Sequence, residues 1–525
     1  MRILYKIANK LFRIVKKILK LLTSRMVIIG VALLLEFCWL AGIVMQLNEK
    51  SVYINYAVTI LSLIAVLSII NNPKMNPGYK LMWAVCILAL PVTGICLYGI
   101  LGHSSVARKF RTHYDTVLLS QGGVLGEEEE TRKKLEEENI LAAGQSSYLT
   151  NYAHYPVYEN TETEYYPLGD VWFEHFIEEL KKAEHYIFME YFIISEGYLW
   201  DTVLEILKEK AAAGVDVRLI YDDFGCVTTL PYQYYKSLQQ MGIKCAAFNQ
   251  FRPVLNVILN NRDHRKIAVI DGHTAFTGGI NLADEYINRK ERFGHWKDSG
   301  ICLHGEAVWS FTVMFLQMWS TITGMECDFE SYRPEIYHKE AFKKDGFVQP
   351  YGDSPLDGET VGEHVYLNII SQAKKYLYIF TPYLIPDNET LTALCMAAKR
   401  GVDVRIVTPG IPDKKIVYIL TQANYEILLE SGVQIYQYTP GFIHSKSFVC
   451  DDEVATVGTI NMDYRSMYLH FECGVWMYGS SAVAQVKEDA LITFEQCEQI
   501  NMDYCRKKNF AVRALRGALK FLHPQ

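Results

Sequence analysis

The chain has 525 residues and carries 52 Lys+Arg against 59 Asp+Glu, for a formal net charge of −7. This length exceeds what one hydrophobic core usually supports, so two or more domains are expected. The charge balance lacks the basic excess that marks proteins whose main partner is nucleic acid, and we expect no nucleic-acid partner.

The N-terminal segment is strongly basic. Residues 1–25 hold eight Lys or Arg and no Asp or Glu. The basic side chains recur at helical spacing opposite Ile and Leu, which is typical of an amphipathic helix lying on an anionic membrane. A positive-inside signal that keeps the N-terminus in the cytoplasm explains the same charges, so both interpretations stay open.

Three apolar runs follow, at about residues 26–47, 51–70 and 81–102. The first contains one acidic residue, Glu36, and the third contains Pro91. Each run is close to the ~20 residues that a helix needs to cross a membrane. We therefore predict a transmembrane helical region over residues 26–102 and a multi-pass protein of the cell membrane. The number of crossings stays open, and with it the side of the membrane that holds the rest of the chain.

Residues 103–148 are polar and include the charge run "GEEEETRKKLEEEN" from Gly126 to Asn139. Runs of this kind are usually solvated helix or linker. We predict a polar linker without a chemical role.

The remaining sequence is a repeat. Two stretches, from Ala183 and from Ala373, each read as a buried strand, a helix and a second strand, and the pentapeptide GVDVR recurs at Gly214 and Gly401. Strand, helix and strand in succession predict parallel pairing with helices on the faces of the sheet. The pattern predicts two copies of one α/β unit, over residues 149–333 and 334–525.

Each copy carries the motif HxKxxxxD, followed by glycine and asparagine in the same register. Equivalent residues differ by 180 in number: His264 and His444, Lys266 and Lys446, Asp271 and Asp451, Gly278 and Gly458, Asn281 and Asn461. Residues i and i+2 of a strand point to one face, so the His and Lys of each copy project together. Each pair is suited to hold one anion.

Two imidazoles and two ammonium groups fit a phosphodiester better than the alternatives. A metal cofactor is disfavoured because an ammonium beside each imidazole repels a cation, and a Ser triad because no GxSxG turn occurs. One neutral His can attack phosphorus to form a phosphohistidine, and the other, protonated, can donate to the leaving alkoxide. Lys266 and Lys446 would hold the phosphoryl charge, and Asp271 and Asp451 would orient the imidazoles or balance the cations.

Six further residues are candidates for substrate binding: Gly278, Gly279, Gly458, Asn281, Asn461 and Thr459. The glycines lie where a close backbone approach or a tight turn would be useful, and the asparagines supply amide donors.

These features resemble the phospholipase D superfamily, and the bacterial cardiolipin synthases within it. The resemblance rests on the two motifs and on "LPVTGICLYGILG", "TGGINLADEY", "WKDSG", "FLQMW" and "GTINMDYRSMYLHFE". It implies two phospholipase D-like lobes, each a mixed sheet flanked by helices, with a shared active site at their interface. It further implies that two phosphatidylglycerol molecules give cardiolipin and glycerol without a cofactor, with anionic lipid as the partner. Two residues depart from the pattern: Thr459 replaces a common Ser, and His470 replaces a common Asn.

A phospholipase D-type hydrolase, or a transferase making another headgroup lipid, would share every one of these residues. A scaffold without activity is disfavoured because both motifs are complete. The identity of the nucleophile stays open, with His264 preferred, and so do the acceptor and the oligomeric state.

Overall fold

The computed structural model describes residues 25–44, 51–73, 75, 77–101, 105–120, 123–126, 129–250 and 261–506. The predicted basic amphipathic segment therefore lies outside the described residues, apart from Arg25. The chain forms two compact units, one up to Lys109 and one that begins at Phe110.

The N-terminal unit is helical. Its helices are α1 (Arg25–Val44), α2 (Ser51–Ile70), α3 (Pro77–Ala89) and α4 (Pro91–Leu101). Among the described residues one helix, Val52–Ile70, is long and apolar enough to cross a membrane, and Pro77–Ala89 is a shorter apolar helix. The third predicted run is interrupted before Pro91, because proline has no N–H to donate and its ring clashes with the preceding turn. The prediction that the chain crosses the membrane several times therefore stays a prediction.

An acidic residue caps the helix that begins at this break. Glu36 is 3% exposed, and its Oε2 accepts a hydrogen bond of 2.7 Å from the backbone N–H of Thr93 in the first turn of α4. The first amides of a helix have no partner within it, and a carboxylate there is also favoured by the helix dipole. Glu36 thus satisfies an amide that apolar surroundings would leave unpaired.

Fifteen further α-helices and eighteen strands lie among the described residues from Ser105 onward. The helices are α5 (Ser105–Ser120), α6 (Glu129–Glu138), α7 (Ile140–Asn151), α8 (Gly169–Lys182), α9 (Tyr198–Ala212), α10 (Tyr234–Gln240), α11 (Val308–Thr323), α12 (Pro334–Tyr337), α13 (Val361–Gln372), α14 (Asn388–Lys399), α15 (Lys415–Ala423), α16 (Tyr425–Glu430), α17 (Tyr464–Leu469), α18 (Ser481–Glu495) and α19 (Met502–Arg506).

The strands divide between the two lobes. The first lobe has β1 (Thr161–Tyr166), β2 (Tyr186–Tyr191), β3 (Asp216–Asp222), β4 (Lys244–Phe248), β5 (Arg262–Asp263), β6 (Lys266–Ile270), β7 (Thr274–Gly278), β8 (His295–Lys297) and β9 (Gly300–Gly305). The second has β10 (Phe347–Asp353), β11 (Tyr376–Phe380), β12 (Asp403–Pro409), β13 (Gln434–Tyr438), β14 (Gly441–Ile443), β15 (Ser447–Cys450), β16 (Val454–Gly458), β17 (His470–Tyr478) and β18 (Cys497–Ile500).

The two sheets have the same topology. The first has the order β1-β9-β7-β6-β2-β3-β4, and the second has β10-β17-β16-β15-β11-β12-β13 with β18 added at its edge. In each, three strands joined through helices are parallel and the others are antiparallel. The prediction of two duplicated α/β lobes with mixed sheets flanked by helices is confirmed.

Each lobe packs a helix against the other lobe. In α11 thirteen of the sixteen residues are buried, and its Met314 lies against Gly352 of β10. In return, α18 packs on β1, where Asp489 accepts a hydrogen bond from Tyr165. The two sheets and these two helices share one apolar core, and each lobe adds a further apolar core of its own.

The segment predicted as a linker contains three helices. Leu135 and Ala142 are buried in the core of the second lobe, and Gln145 donates a hydrogen bond to the backbone of Val365. These apolar positions are interspersed among charged residues, which is why the composition alone suggested a solvated segment.

Candidate active site

The two motifs are held by strands that cross between the lobes. β5, just before His264, pairs with the first residues of β17, and β14, just before His444, pairs with β8. The His264 N–H donates to the carbonyl of Phe471 over 2.9 Å, and the His444 N–H to the carbonyl of Lys297 over 2.7 Å. Each motif is thus fixed by backbone of the opposite lobe.

The carboxylates that orient the imidazoles also come from the opposite lobe. His264 Nδ1 lies 2.9 Å from Glu472 Oε2, and His444 Nδ1 lies 2.6 Å from Asp298 Oδ2. Both carboxylates are fully buried. With the ring proton on Nδ1 and donated to the carboxylate, Nε2 of each ring keeps its lone pair for attack or proton transfer.

Both imidazoles are neutral at neutral pH in the free protein. Burial lowers the pKa of His264 to about 3 and that of His444 to about 4, and the charge of the neighbouring lysine contributes to each decrease. Glu472 and Asp298 oppose this shift, and the pKa of each carboxylate is itself held below its usual value by its imidazole partner. Desolvation of the cationic ring outweighs the ion pair.

The two lysines occupy the same buried site. Lys266 Nζ donates to the carbonyl of His264 over 2.5 Å, and Lys446 Nζ donates to that of His444. Burial lowers the pKa of Lys266 to about 8 and that of Lys446 to about 7. The charge of Lys266 also lowers the pKa of both His444 and Lys446. The two copies of the motif are therefore close enough for their charges to interact.

The motif aspartates lie elsewhere. Asp271 accepts hydrogen bonds of 2.8 Å from the N–H groups of Glu184, His185 and Tyr186, at the start of β2. Asp451 does the same for three residues at the start of β11: Lys374, Lys375 and Tyr376. Each sits in a turn with φ near +50° and ties that turn to the neighbouring strand. The expectation that they orient the imidazoles is therefore corrected, because Glu472 and Asp298 do so.

The motif glycines make room for the crossed carboxylates. A Cβ at Gly279 would lie 2.0 Å from Asp298 Oδ1, and one at Gly278 would lie 2.4 Å from the Ser299 carbonyl. In the second copy a Cβ at Gly458 would lie 2.4 Å from the carbonyl of Cys473, next to Glu472. The predicted close backbone approach thus occurs against protein, and direct contact with substrate stays a prediction.

The polar residues after these glycines differ between the copies. Asn281 accepts from the Ile193 N–H and donates to the Tyr286 hydroxyl, so both ends of its amide are engaged. Thr459 donates to Glu472 Oε2 and holds that carboxylate in place. Asn461 is 5% exposed and its Oδ1 has no hydrogen bond within the part of the chain that the structure describes, which leaves it the better candidate for a substrate contact.

Sequence reasoning missed Glu472 and Asp298. A signal existed: an acidic residue two positions before a glycine, Asp298 before Gly300 and Glu472 before Gly474, occurs where equivalent strands begin in both copies. His470 is a further residue of the site, with its ring centroid 5.5 Å from that of His264.

The comparisons agree with this geometry. The family model described as "Cardiolipin synthase, PLD-like domain" matches residues 176–319 and 366–491, and "Phospholipase_D-nuclease N-terminal" matches residues 60–103. A cardiolipin synthase of Alkalihalophilus pseudofirmus is 34% identical, with 88% of this chain and 92% of that protein covered. The chain belongs to the cardiolipin synthase family. Cardiolipin synthase 2 of Bacillus cereus is 33% identical over 86% of this chain and 87% of its own length.

The chain is also similar to two other proteins. An uncharacterized protein of Streptococcus mutans is 42% identical, with 88% of this chain and 99% of that protein covered. The crystal structure of phosphatidylserine synthase from Haemophilus influenzae aligns with a TM-score of 0.54 at 16% identity, over 72% of this chain and 97% of that one. The latter likeness supports the two-lobed fold alone.

Proposed function

We propose that the protein joins two phosphatidylglycerol molecules into cardiolipin with release of glycerol. The observation that carries the proposal is the crossed pair of imidazole–carboxylate contacts, His264 with Glu472 and His444 with Asp298. Because each half-site is completed by the opposite lobe, the two imidazoles and two lysines form one site rather than two. Such a site suits covalent transfer of a phosphatidyl group.

In the first half-reaction we assign the attack to His264. Its Nε2 forms a bond to phosphorus, the bond from phosphorus to the glycerol oxygen breaks, and the leaving alkoxide takes a proton from His444. The anionic phosphodiester next to His444 favours the imidazolium and so raises the pKa of this ring above its free value of about 4.

In the second half-reaction the glycerol hydroxyl of another phosphatidylglycerol gives its proton to His444 and attacks phosphorus. The bond from phosphorus to His264 breaks, and cardiolipin leaves. One phosphodiester replaces another, so the overall exchange is nearly isoenergetic. Lys266 and Lys446 stabilise the charge on the non-bridging oxygens as it shifts in each transition state.

We also propose that the chain is a multi-pass protein of the cell membrane. The helix Val52–Ile70 has the length and apolarity to cross, and α1 adds a second apolar helix of 20 residues. Large side chains on both helices are exposed, among them Phe37 at 73% and Tyr53 at 76%. Exposed apolar surface of this extent is expected against lipid, where the substrate also lies.

The test is to supply purified full-length protein with phosphatidylglycerol as the sole lipid. We expect cardiolipin and free glycerol in equal amounts, measured by lipid chromatography and a glycerol assay. Phosphatidic acid as the main product would mean that water is the acceptor and that the protein is a hydrolase. His264→Ala should remove turnover, whereas His338→Ala, a matched change at a half-buried His outside the site, should retain it.

A further inference from the structure

A third imidazole adjoins the His264 half-site. His470 opens β17, and its Nδ1 lies 3.6 Å from Glu472 Oε1. The side chains of His264, His470 and Glu472 are 9%, 12% and 0% exposed. Their potential ligand atoms all lie within 4.8 Å of one another.

Two atoms of this cluster are buried without a hydrogen bond among the described residues: His470 Nδ1 and Glu472 Oε1. A buried carboxylate oxygen left without a hydrogen bond is destabilising. Glu472 Oε2, by contrast, is engaged by both His264 and Thr459. His470 Nδ1 and Glu472 Oε1 are therefore available to bind an ion.

We propose that His264, His470 and Glu472 form an inhibitory site for a divalent transition-metal ion such as Zn²⁺. Bonds of about 2.0–2.1 Å in a tetrahedral arrangement place neighbouring ligand atoms about 3.3–3.4 Å apart. The contact of His264 with Glu472 Oε2, at 2.9 Å, and that of His470 with Glu472 Oε1, at 3.6 Å, bracket this separation. Three protein ligands leave a fourth position open for water.

Imidazole nitrogens and a carboxylate oxygen are ligand types that Zn²⁺ commonly takes in proteins. The ammonium groups of Lys266 and Lys446 oppose a cation, which makes the binding reversible rather than that of a resident cofactor.

The ion replaces the proton that His264 shares with Glu472. The His264 ring then loses the contact that directs its Nε2, and the ion's charge lies where the phosphodiester binds. Transfer stops until the ion is removed. The binding itself does not depend on the proposed function; only its inhibitory effect rests on it.

Binding is measured first, with the full-length protein in detergent micelles. We expect one equivalent of Zn²⁺ in competition with a chromophoric chelator, and with Co²⁺ the visible absorption of a tetrahedral site. His470→Asn should weaken Zn²⁺ binding at least about tenfold. The matched control is His338→Asn, which disrupts another close pair, that of His273 and His338, with ring centroids 5.0 Å apart. Equal affinity in wild type and His470→Asn, or loss in His338→Asn, would overturn the proposal.

Inhibition is measured second, as cardiolipin formation with and without Zn²⁺. Zn²⁺ should raise the apparent KM for phosphatidylglycerol, excess chelator should reverse this, and His470→Asn should raise the inhibitory concentration by the factor found for binding. Zn²⁺ binding that depends on His470 in a protein that makes no cardiolipin would refute the proposed function and leave the ion site standing. Cardiolipin synthesis with inhibition unchanged in His470→Asn would refute the ion site alone.

Discussion

Glu472 and Asp298 each hold one imidazole by its Nδ1, and their contribution can be measured residue by residue. Glu472→Gln keeps the size of the side chain but replaces the charge, so it no longer stabilises the positive His264 ring formed with the phosphatidyl group. We expect kcat to fall about 10²-fold or more, with a smaller change in KM, because the interaction strengthens in the transition state. Asp298→Asn should act in the same way on His444.

A matched control is Asp345→Asn. Asp345 is a carboxylate that accepts hydrogen bonds from Thr163 and Ser481, away from the imidazoles. Its loss should change thermal stability and leave kcat close to that of the wild type. Equal effects of Glu472→Gln and Asp345→Asn on kcat would show that Glu472 has a structural role alone.

The lysines set the alkaline limit of activity. Lys446 and Lys266, with pKa values of about 7 and 8 in the free protein, bind the phosphodiester as ammonium groups. Each is protonated below its pKa and loses its proton as pH rises through that value. We therefore expect kcat/KM, which reports the free enzyme, to decline from about pH 7 to 9.

The variant Lys446→Arg separates charge from position. Arginine stays charged over the whole range, so the decline should move to higher pH even where the larger side chain lowers the rate. Lys343→Arg, at a lysine whose side chain is 78% exposed, should leave the profile unchanged. A flat wild-type profile between pH 7 and 9 would contradict this role for both lysines.

The sequence was informative about the site wherever the signal was local. His264 and Lys266 were found because they lie two residues apart and recur in register at His444 and Lys446. Asp271 was misplaced because nearness along the chain suggested nearness in space, whereas a turn with positive φ carries it to the start of β2. The carboxylates that do the orienting lie 208 and 146 residues from their imidazoles, and no local spacing reports such a contact.

At the scale of elements, the junction of α3 and α4 shows how an acidic residue is accommodated in an apolar helix. Pro91 interrupts the third apolar run, and Gly94 allows the two helices to meet, since a Cβ there would lie 2.7 Å from the Cys86 carbonyl. Glu36 of α1 then caps the start of α4. Composition predicted the apolar runs. It did not predict the interruption of the third run, which depends on one proline, or the cap, which depends on a contact between residues 57 positions apart.

We expect Glu36→Leu to destabilise the N-terminal helices, because the Thr93 amide is left unpaired in apolar surroundings. Glu36→Gln keeps an acceptor and should be milder. The measurement is the yield of folded protein in detergent and its unfolding temperature, with Leu35→Ala, at an exposed position on the same helix, as the control. Equal unfolding temperatures for Glu36→Leu and wild type would show that the hydrogen bond contributes nothing.

At the scale of the whole molecule, each lobe is completed by contacts from the other. Crossed strands fix the motifs, crossed carboxylates orient the imidazoles, and α11 and α18 each pack on the opposite lobe. Duplication was evident from the 180-residue register and from GVDVR. The contacts exchanged between the lobes were not evident. A repeat in sequence predicts the fold of each copy but does not indicate which copy supplies a given contact.

A buried ion pair between the lobes tests this interdependence. Lys297 and Asp489 are 2.6 Å apart, each 6% exposed, and Lys297 precedes Asp298 and also holds the His444 N–H through its carbonyl. Asp489→Leu leaves an unpaired buried ammonium, at a cost of about 3–5 kcal/mol. Because the lobes share the core that lies between their sheets, we expect a single unfolding transition of the second unit at lower temperature, with activity lost along it.

Replacing both partners, Lys297→Met with Asp489→Leu, removes the unpaired charge and should restore most of the lost stability, since apolar pairs can replace buried ion pairs. The exposed pair Lys343–Glu162 also joins the two lobes, at 3.0 Å, and Glu162→Gln should cost no more than about 1 kcal/mol. The measurement is thermal unfolding followed by tryptophan fluorescence and by proteolysis of each lobe. Two separate transitions in Asp489→Leu, with one lobe still protected from protease, would show that the lobes are independent, and the crossed contacts would then be consequences of docking rather than part of one fold.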